Sequence, residues 1–103
     1  MANILKPSLY PQPKRLKTGT IIVGTTVTQG PNVTVAPGRE VVLSCPSTNS
    51  ASVFVGDSEV TPTNGLEIEP GGGVLVCVSN LNQLYFISTA ANQTVRYAVE
   101  VME

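Results

Sequence analysis

Two pairs of carboxylates, Asp57 with Glu59 and Glu67 with Glu69, come closest in this chain to a spacing that could do chemistry. Paired carboxylates can act as acid and base in glycoside hydrolysis, or as oxygen ligands for calcium. In an extended chain, however, an i, i+2 pair lies on one face of a strand, where acids are ordinarily just solvated. The chain has no histidine, so a hydrolytic triad has no imidazole base. With only Cys45 and Cys77 besides, Cys₄, Cys₂His₂ and His₃ metal sites cannot form within one chain. Gly71-Gly72-Gly73 lacks the Gly-Lys-Ser/Thr that completes a phosphate loop. Asn32-Val33-Thr34 and Asn92-Gln93-Thr94 fit the glycosylation pattern, which means little where residues 1–7 do not read as a secretory leader. The expectation is a protein that is not an enzyme and uses neither metal nor cofactor.

At 103 residues the chain has room for one domain with one modest core. Hydrophobic residues make up 42% and charged residues only 13%, so Thr, Ser, Asn and Gln must supply most of the polar surface. Such a surface suits a protein that lies against another protein. The net charge of −1 hides an asymmetry: residues 1–17 carry Lys6, Lys14, Arg15 and Lys17 with no acid, and residues 18–103 carry two arginines against seven acids. A basic arm on an acidic body can dock on an acidic neighbour, including another copy of the body. Four basic residues without a basic face neutralise few phosphates, so nucleic acid is not the expected partner. No run of 18 apolar residues is present, so no membrane span is expected either.

The elements that must position these residues read as strands. Residues 53–80 alternate short apolar runs (53–55, 59–61, 66–68, 74–78) with the turns Gly56-Asp57-Ser58, Pro62-Thr63-Asn64-Gly65 and Pro70-Gly71-Gly72-Gly73. Before them come candidate strands at 20–28, with Gly24 as a bulge or close approach, at 32–36 with Val33 and Val35 inward, and at 40–45. In the last of these Val41, Leu43 and Cys45 share one face and Val42 and Ser44 the other. After them come 84–88 and 94–102, where Val95, Tyr97, Val99 and Val101 alternate with Arg96, Ala98 and Glu100 in the clearest period of two in the chain. No stretch sustains a 3.6-residue period, so almost no helix is expected. Seven to nine strands with connections of two to five residues predict an all-β domain at 19–103, a small antiparallel β-sandwich or barrel, with a jelly-roll-like arrangement among the options.

Residues 1–18 contain Pro7, Pro11 and Pro13, which remove donors and favour extended backbone. They predict an extended basic arm outside the sheets that orders on a neighbouring subunit. Residues 34–43 also match residues 67–76 at an offset of 33, each reading strand, Pro-Gly turn, strand. The match reflects either shared turn chemistry or two related halves of a sandwich. With equivalent halves, Cys45 takes the parity of Val41 and Cys77 the parity opposite to Val74, so the two would not pair.

The pattern formed by Val53, Val55, Gly56, Val60, Thr61, Asn64, Gly65, Ile68, Pro70, Gly71, Leu84, Tyr85, Ile87, Ser88, Val95 and Arg96 resembles small β domains of tailed-bacteriophage virion proteins. The resemblance covers about the last half of the chain. It implies a virion structural protein, either a capsid decoration or cement protein or a tail, neck or head-fibre accessory with a host-surface or carbohydrate-binding role. The basic arm and the absence of a long fibre segment depart from a fibre fragment and favour the capsid. The expected partner is then the major capsid protein, the expected place is the capsid surface of a virion assembled in the host cytoplasm, and the expected state is a homo-oligomer, with a trimer favoured. The expected binding residues are Leu5, Leu9, Tyr10, Lys14, Arg15 and Lys17, with apolar anchors supplying desolvated area and basic groups supplying orientation.

Overall fold

The computed structural model describes residues 13–102. Eight strands form: β1 (Arg15–Val23), β2 (Thr28–Gln29), β3 (Val41–Ser44), β4 (Val53–Gly56), β5 (Leu66–Ile68), β6 (Gly73–Val76), β7 (Tyr85–Ser88) and β8 (Gln93–Val101), with one 3₁₀ turn at Leu81–Gln83. All pairings are antiparallel: β1 with β8, β2 with β7, β3 with β6 and β4 with β5. The chain is thus one long hairpin, closed at β4 and β5 and rolled so that successive strand pairs fall in alternate sheets. Contacts of β3 with β8 and of β4 with β7 complete a front sheet, β1-β8-β3-β6, and a back sheet, β2-β7-β4-β5. That strand order is the eight-stranded jelly roll.

The core lies between the sheets and follows the alternation. Val95, Val99 and Val101 of β8 are fully buried, as are Val41 and Leu43 of β3, Val53 of β4 and Phe86 of β7. Tyr97 also points inward, and its ring lies over Gly19, its cross-strand partner, where a side chain on Gly19 would collide with it. The two Pro-Gly turns of the internal repeat each carry the chain from the back sheet to the front sheet. Gly38 and Gly71 take positive φ of 77° and 83°, a region open to glycine without steric cost.

Several local expectations are corrected. Strand β1 begins at Arg15, so residues 15–18 belong to the front sheet and not to an arm. Proline density ends at Pro13, and Lys14 already donates its backbone N–H to the Val101 carbonyl at 2.8 Å. The strand ends at Val23, so Gly24 follows β1 and is no bulge inside a strand; its carbonyl accepts from Ser88 N–H. Residues 32–36 make only one bridge, Thr34 with Asn80, although Val33 and Val35 are buried as expected. Residues 59–61 form no strand because local side chains take their backbone partners. Asn64 Oδ1 accepts from Thr61 N–H, Thr61 Oγ1 accepts from the N–H groups of Thr63 and Asn64, and Asn64 Nδ2 donates to the Glu59 carbonyl. Three connections, at 24–27, 69–72 and 89–92, have the expected two to five residues, and the other four are longer.

Two of those connections are held by buried or shielded amides. Gln93 is 3% exposed, and its Oε1 accepts from the N–H groups of Ser50 and Ala51 at 2.9 and 3.0 Å. Its Nε2 donates to Ser50 Oγ and to the Ala91 carbonyl. Asn49 exchanges two hydrogen bonds with the backbone of Thr94, so a side chain extends the ladder beside β8. Around the 3₁₀ turn, Asn80 and Gln83 form a capping box, and Asn80 Oδ1 also accepts from Val33 N–H.

Candidate interaction surface

A sheet with one face on the core is expected to show polar residues on the other. The front sheet departs from this. Its outward positions include Leu16 and Ile22 on β1, Val42 on β3 and Leu75 on β6, exposed by 61, 58, 42 and 59%. Register aligns the centre of this face: Thr18 pairs with Ala98, Ala98 with Val42 and Val42 with Leu75, giving a row across all four strands. Arg96 lies one outward position to one side of that row, paired with Thr20 and Ser44. Glu100 lies one outward position to the other side, paired with Leu16. A shallow hollow lined by Thr18, Thr20, Val42, Ser44, Arg96 and Ala98 flanks the row, because the residues there are small.

Charge is distributed by edge. Lys14 and Arg15 are exposed and Lys17 is half-buried at the start of β1, one edge of the front sheet. Asp57, Glu59, Glu67 and Glu69 are all exposed and belong to β5 and its flanking turns, at the far edge of the sandwich. The i, i+2 acids therefore sit on solvated surface. Asp57 accepts from Glu59 N–H and Glu67 from Ser52 Oγ. Among the described residues no group of three His, Cys, Asp or Glu side chains is placed to hold a metal ion.

The two cysteines lie on opposite faces of the front sheet and are both free thiols, as their parity requires. Burial pushes the Cys45 thiol above its ordinary pKa, against smaller opposing effects of hydrogen bonds with Asn49 and the Val53 backbone, so Cys45 stays protonated and unreactive. Cys77 is exposed on the outer face, with Sγ 3.9 Å from a Glu40 carboxylate oxygen.

Of the six binding residues expected from sequence, Leu5, Leu9 and Tyr10 lie outside the described residues. Lys14 and Arg15 lie beside Glu100 around a shallow depression at the head of β1 that Pro13 and Leu16 also line, and Lys17 lies two residues further along the strand, outside it. The row Ala98, Val42, Leu75 was not singled out by sequence. Its only local signal was the apolar Val42 on the face opposite to Val41 and Leu43. Comparison of the chain with protein-family models, with curated proteins and with solved structures gives no match.

Proposed function

We propose that this protein is a non-enzymatic virion structural protein of a tailed bacteriophage that decorates the assembled head. It binds the outside of the shell through its N-terminal segment and stabilises the shell by bridging subunits. The observation that carries this reading is the continuity of the basic, proline-rich N-terminal segment with β1. In sequence, Pro7, Pro11 and Pro13 precede Lys14 and the edge strand β1, which opens with Arg15 and carries Lys17. Four of the six acids among the described residues, Asp57, Glu59, Glu67 and Glu69, lie at the other edge, so the molecule offers a mainly basic end to an acidic neighbour while its far edge stays solvated. Jelly rolls occur in viral capsid and in lectin domains, which is an analogy of fold and not of site.

The same fold analogy supports the second reading, an accessory of tail, neck or head fibre that binds host-surface carbohydrate. Two observations weigh against it. The chain has no tryptophan for stacking on sugar rings. In the exposed loop 61–65 the side chains of Thr61 and Asn64 are engaged with the loop's own backbone.

The test is co-sedimentation with heads that lack this protein. Since β1 begins at Arg15, deletion of residues 1–12 removes the arm without touching the sheet. That deletion, combined with Lys14→Glu and Lys17→Glu, is expected to weaken binding roughly tenfold or more while circular dichroism of the domain is unchanged. Full retention of binding by the folded variant would show that the N-terminal segment is not the contact.

A further inference from the structure

The centre of the outer face of the front sheet lies apart from the basic residues of the contact proposed above, and only its margin, at Leu16 and Glu100, adjoins Lys14 and Arg15. From its register we infer that it is a self-complementary surface, which packs on the same face of a second copy about a two-fold axis lying along the row Thr18, Ala98, Val42, Leu75. An axis in the plane of the face and perpendicular to the strands reverses strand direction and keeps each strand over its own counterpart. Residues on the row then meet themselves: Ala98 on Ala98, Val42 on Val42 and Leu75 on Leu75. Residues one outward position to either side exchange, so Arg96 of each copy meets Glu100 of the other, twice in the pair. Leu16 of each copy comes over the partner's Thr20, beside the hollow lined by Thr18, Thr20, Ala98 and Arg96.

Charge complementarity is the reason for choosing a second copy over another partner. Arg96 is exposed, and among the described residues it makes no ion pair, so its countercharge has to come from solvent or from a partner. Glu100 reaches Arg39 only at 3.9 Å, with both side chains partly exposed, and keeps a carboxylate oxygen for another cation. With Lys14, Arg39, Glu40, Arg96 and Glu100 as its charged groups, the face carries three cations against two acids, a small net charge that the two reciprocal Arg96–Glu100 contacts offset. Two sheets packed face to face lie about 10 Å apart with strands within about 30° of alignment, a geometry that the long Arg96 side chain can bridge. Four strands at about 4.8 Å spacing over some five residues' length give a footprint of about 320 Å² per face, about 650 Å² in total, the size of a weak, transient contact. The pair is therefore a concentration-dependent dimer, with dissociation on the order of tens of micromolar. This two-fold pairing differs from the threefold association expected from sequence.

Sedimentation equilibrium of the full chain from roughly 10 to 500 μM tests it across the range in which such a dimer dissociates. The wild type is expected to pass from monomer to dimer. Arg96→Glu is expected to weaken the dimer by roughly tenfold, because like charges then meet at both symmetric positions, and adding Glu100→Arg to it is expected to restore dimerisation to within roughly threefold. Leu75→Lys, which changes an exposed side chain on the axis, is expected to abolish dimerisation without altering the melting temperature. A chain that stays monomeric to the highest concentration would overturn the inference. So would a trimer, a dimer indifferent to Leu75→Lys, or a double charge reversal that fails to restore the wild-type constant. Loss of head binding by Leu75→Lys in a monomeric chain would assign the face to the shell instead. Failure here leaves the head-binding reading standing, since that reading depends on the N-terminal segment and is measured on particles.

Discussion

Replacing Gln93 with leucine is expected to lower the free energy of unfolding by about 2–5 kcal/mol, a large fraction of the total for a domain of this size. The glutamine is buried at the start of β8, and its Oε1 is the acceptor for two consecutive backbone N–H groups, those of Ser50 and Ala51. Leucine has similar bulk and no acceptor, so both donors lose the partner that the buried Gln93 supplies, at a half-buried Ala51 and an exposed Ser50. Each such group costs about 1–3 kcal/mol. The loss extends to the loop that precedes β4, because Nε2 also ties Ser50 Oγ to the Ala91 carbonyl. Ser50→Ala removes only one of these contacts and is expected to cost about 1 kcal/mol. Urea unfolding of both variants, read with an unchanged denaturant slope, checks the difference. Equal and small losses would mean that the loop relaxes to reach water.

Gly30→Ala is expected to cost about 2–3 kcal/mol although it adds a single methyl group. Gly30 is buried where the chain leaves β2, and its N–H donates to the Leu84 carbonyl at 2.8 Å. A Cβ there would collide with the Leu81 carbonyl oxygen and stand 3.3 Å from the Leu84 oxygen, both of them backbone atoms at the 3₁₀ turn. A side chain could rotate away, but this backbone is fixed by the Asn80 and Gln83 capping box and by Leu81 N–H donating to the Val33 carbonyl. Relief must therefore open the contact between two chain segments. Gly24→Ala is the control, since its Cβ would find only Ala91 Cα at 3.9 Å. It is expected to be neutral or to stabilise by up to about 1 kcal/mol through the unfolded state. Thermal unfolding of the two variants side by side separates steric collision from a general effect of removing glycine.

Much of the fold is legible in local pattern because the inner face of each strand must be apolar. The alternation from Val95 to Val101 fixes β8 and its inward face, and Val41, Leu43 and Cys45 do the same for β3. Turn chemistry is legible for the same reason at Pro37-Gly38 and Pro70-Gly71, where both glycines take positive φ. What is hidden depends on partners far along the chain. Residues 59–61 carry strand-like types, yet Thr61 and Asn64 satisfy the backbone locally. Residues 15–18 look like a continuation of the proline-rich segment, and only their pairing with β8, some eighty residues away, places them in a sheet. The candidate surface is hidden still more deeply. Val42, Leu75 and Ala98 are unremarkable one by one, and they become a row only through the registers of β3 with β6 and with β8. The basic residues Lys14, Arg15 and Lys17 are visible as a charge cluster in sequence, because a cluster of neighbours needs no register to be seen.

We propose that this chain sits on the outside of an assembled phage head and stabilises it. That placement is tested most directly by electron cryomicroscopy of the purified particle, at a resolution that traces residues 1–17 against their neighbours. Hundreds of copies on the shell, with the N-terminal segments lying across adjacent capsid subunits, is the predicted result. A dozen or fewer copies confined to a vertex or to the tail, or no copies in the particle, would contradict it.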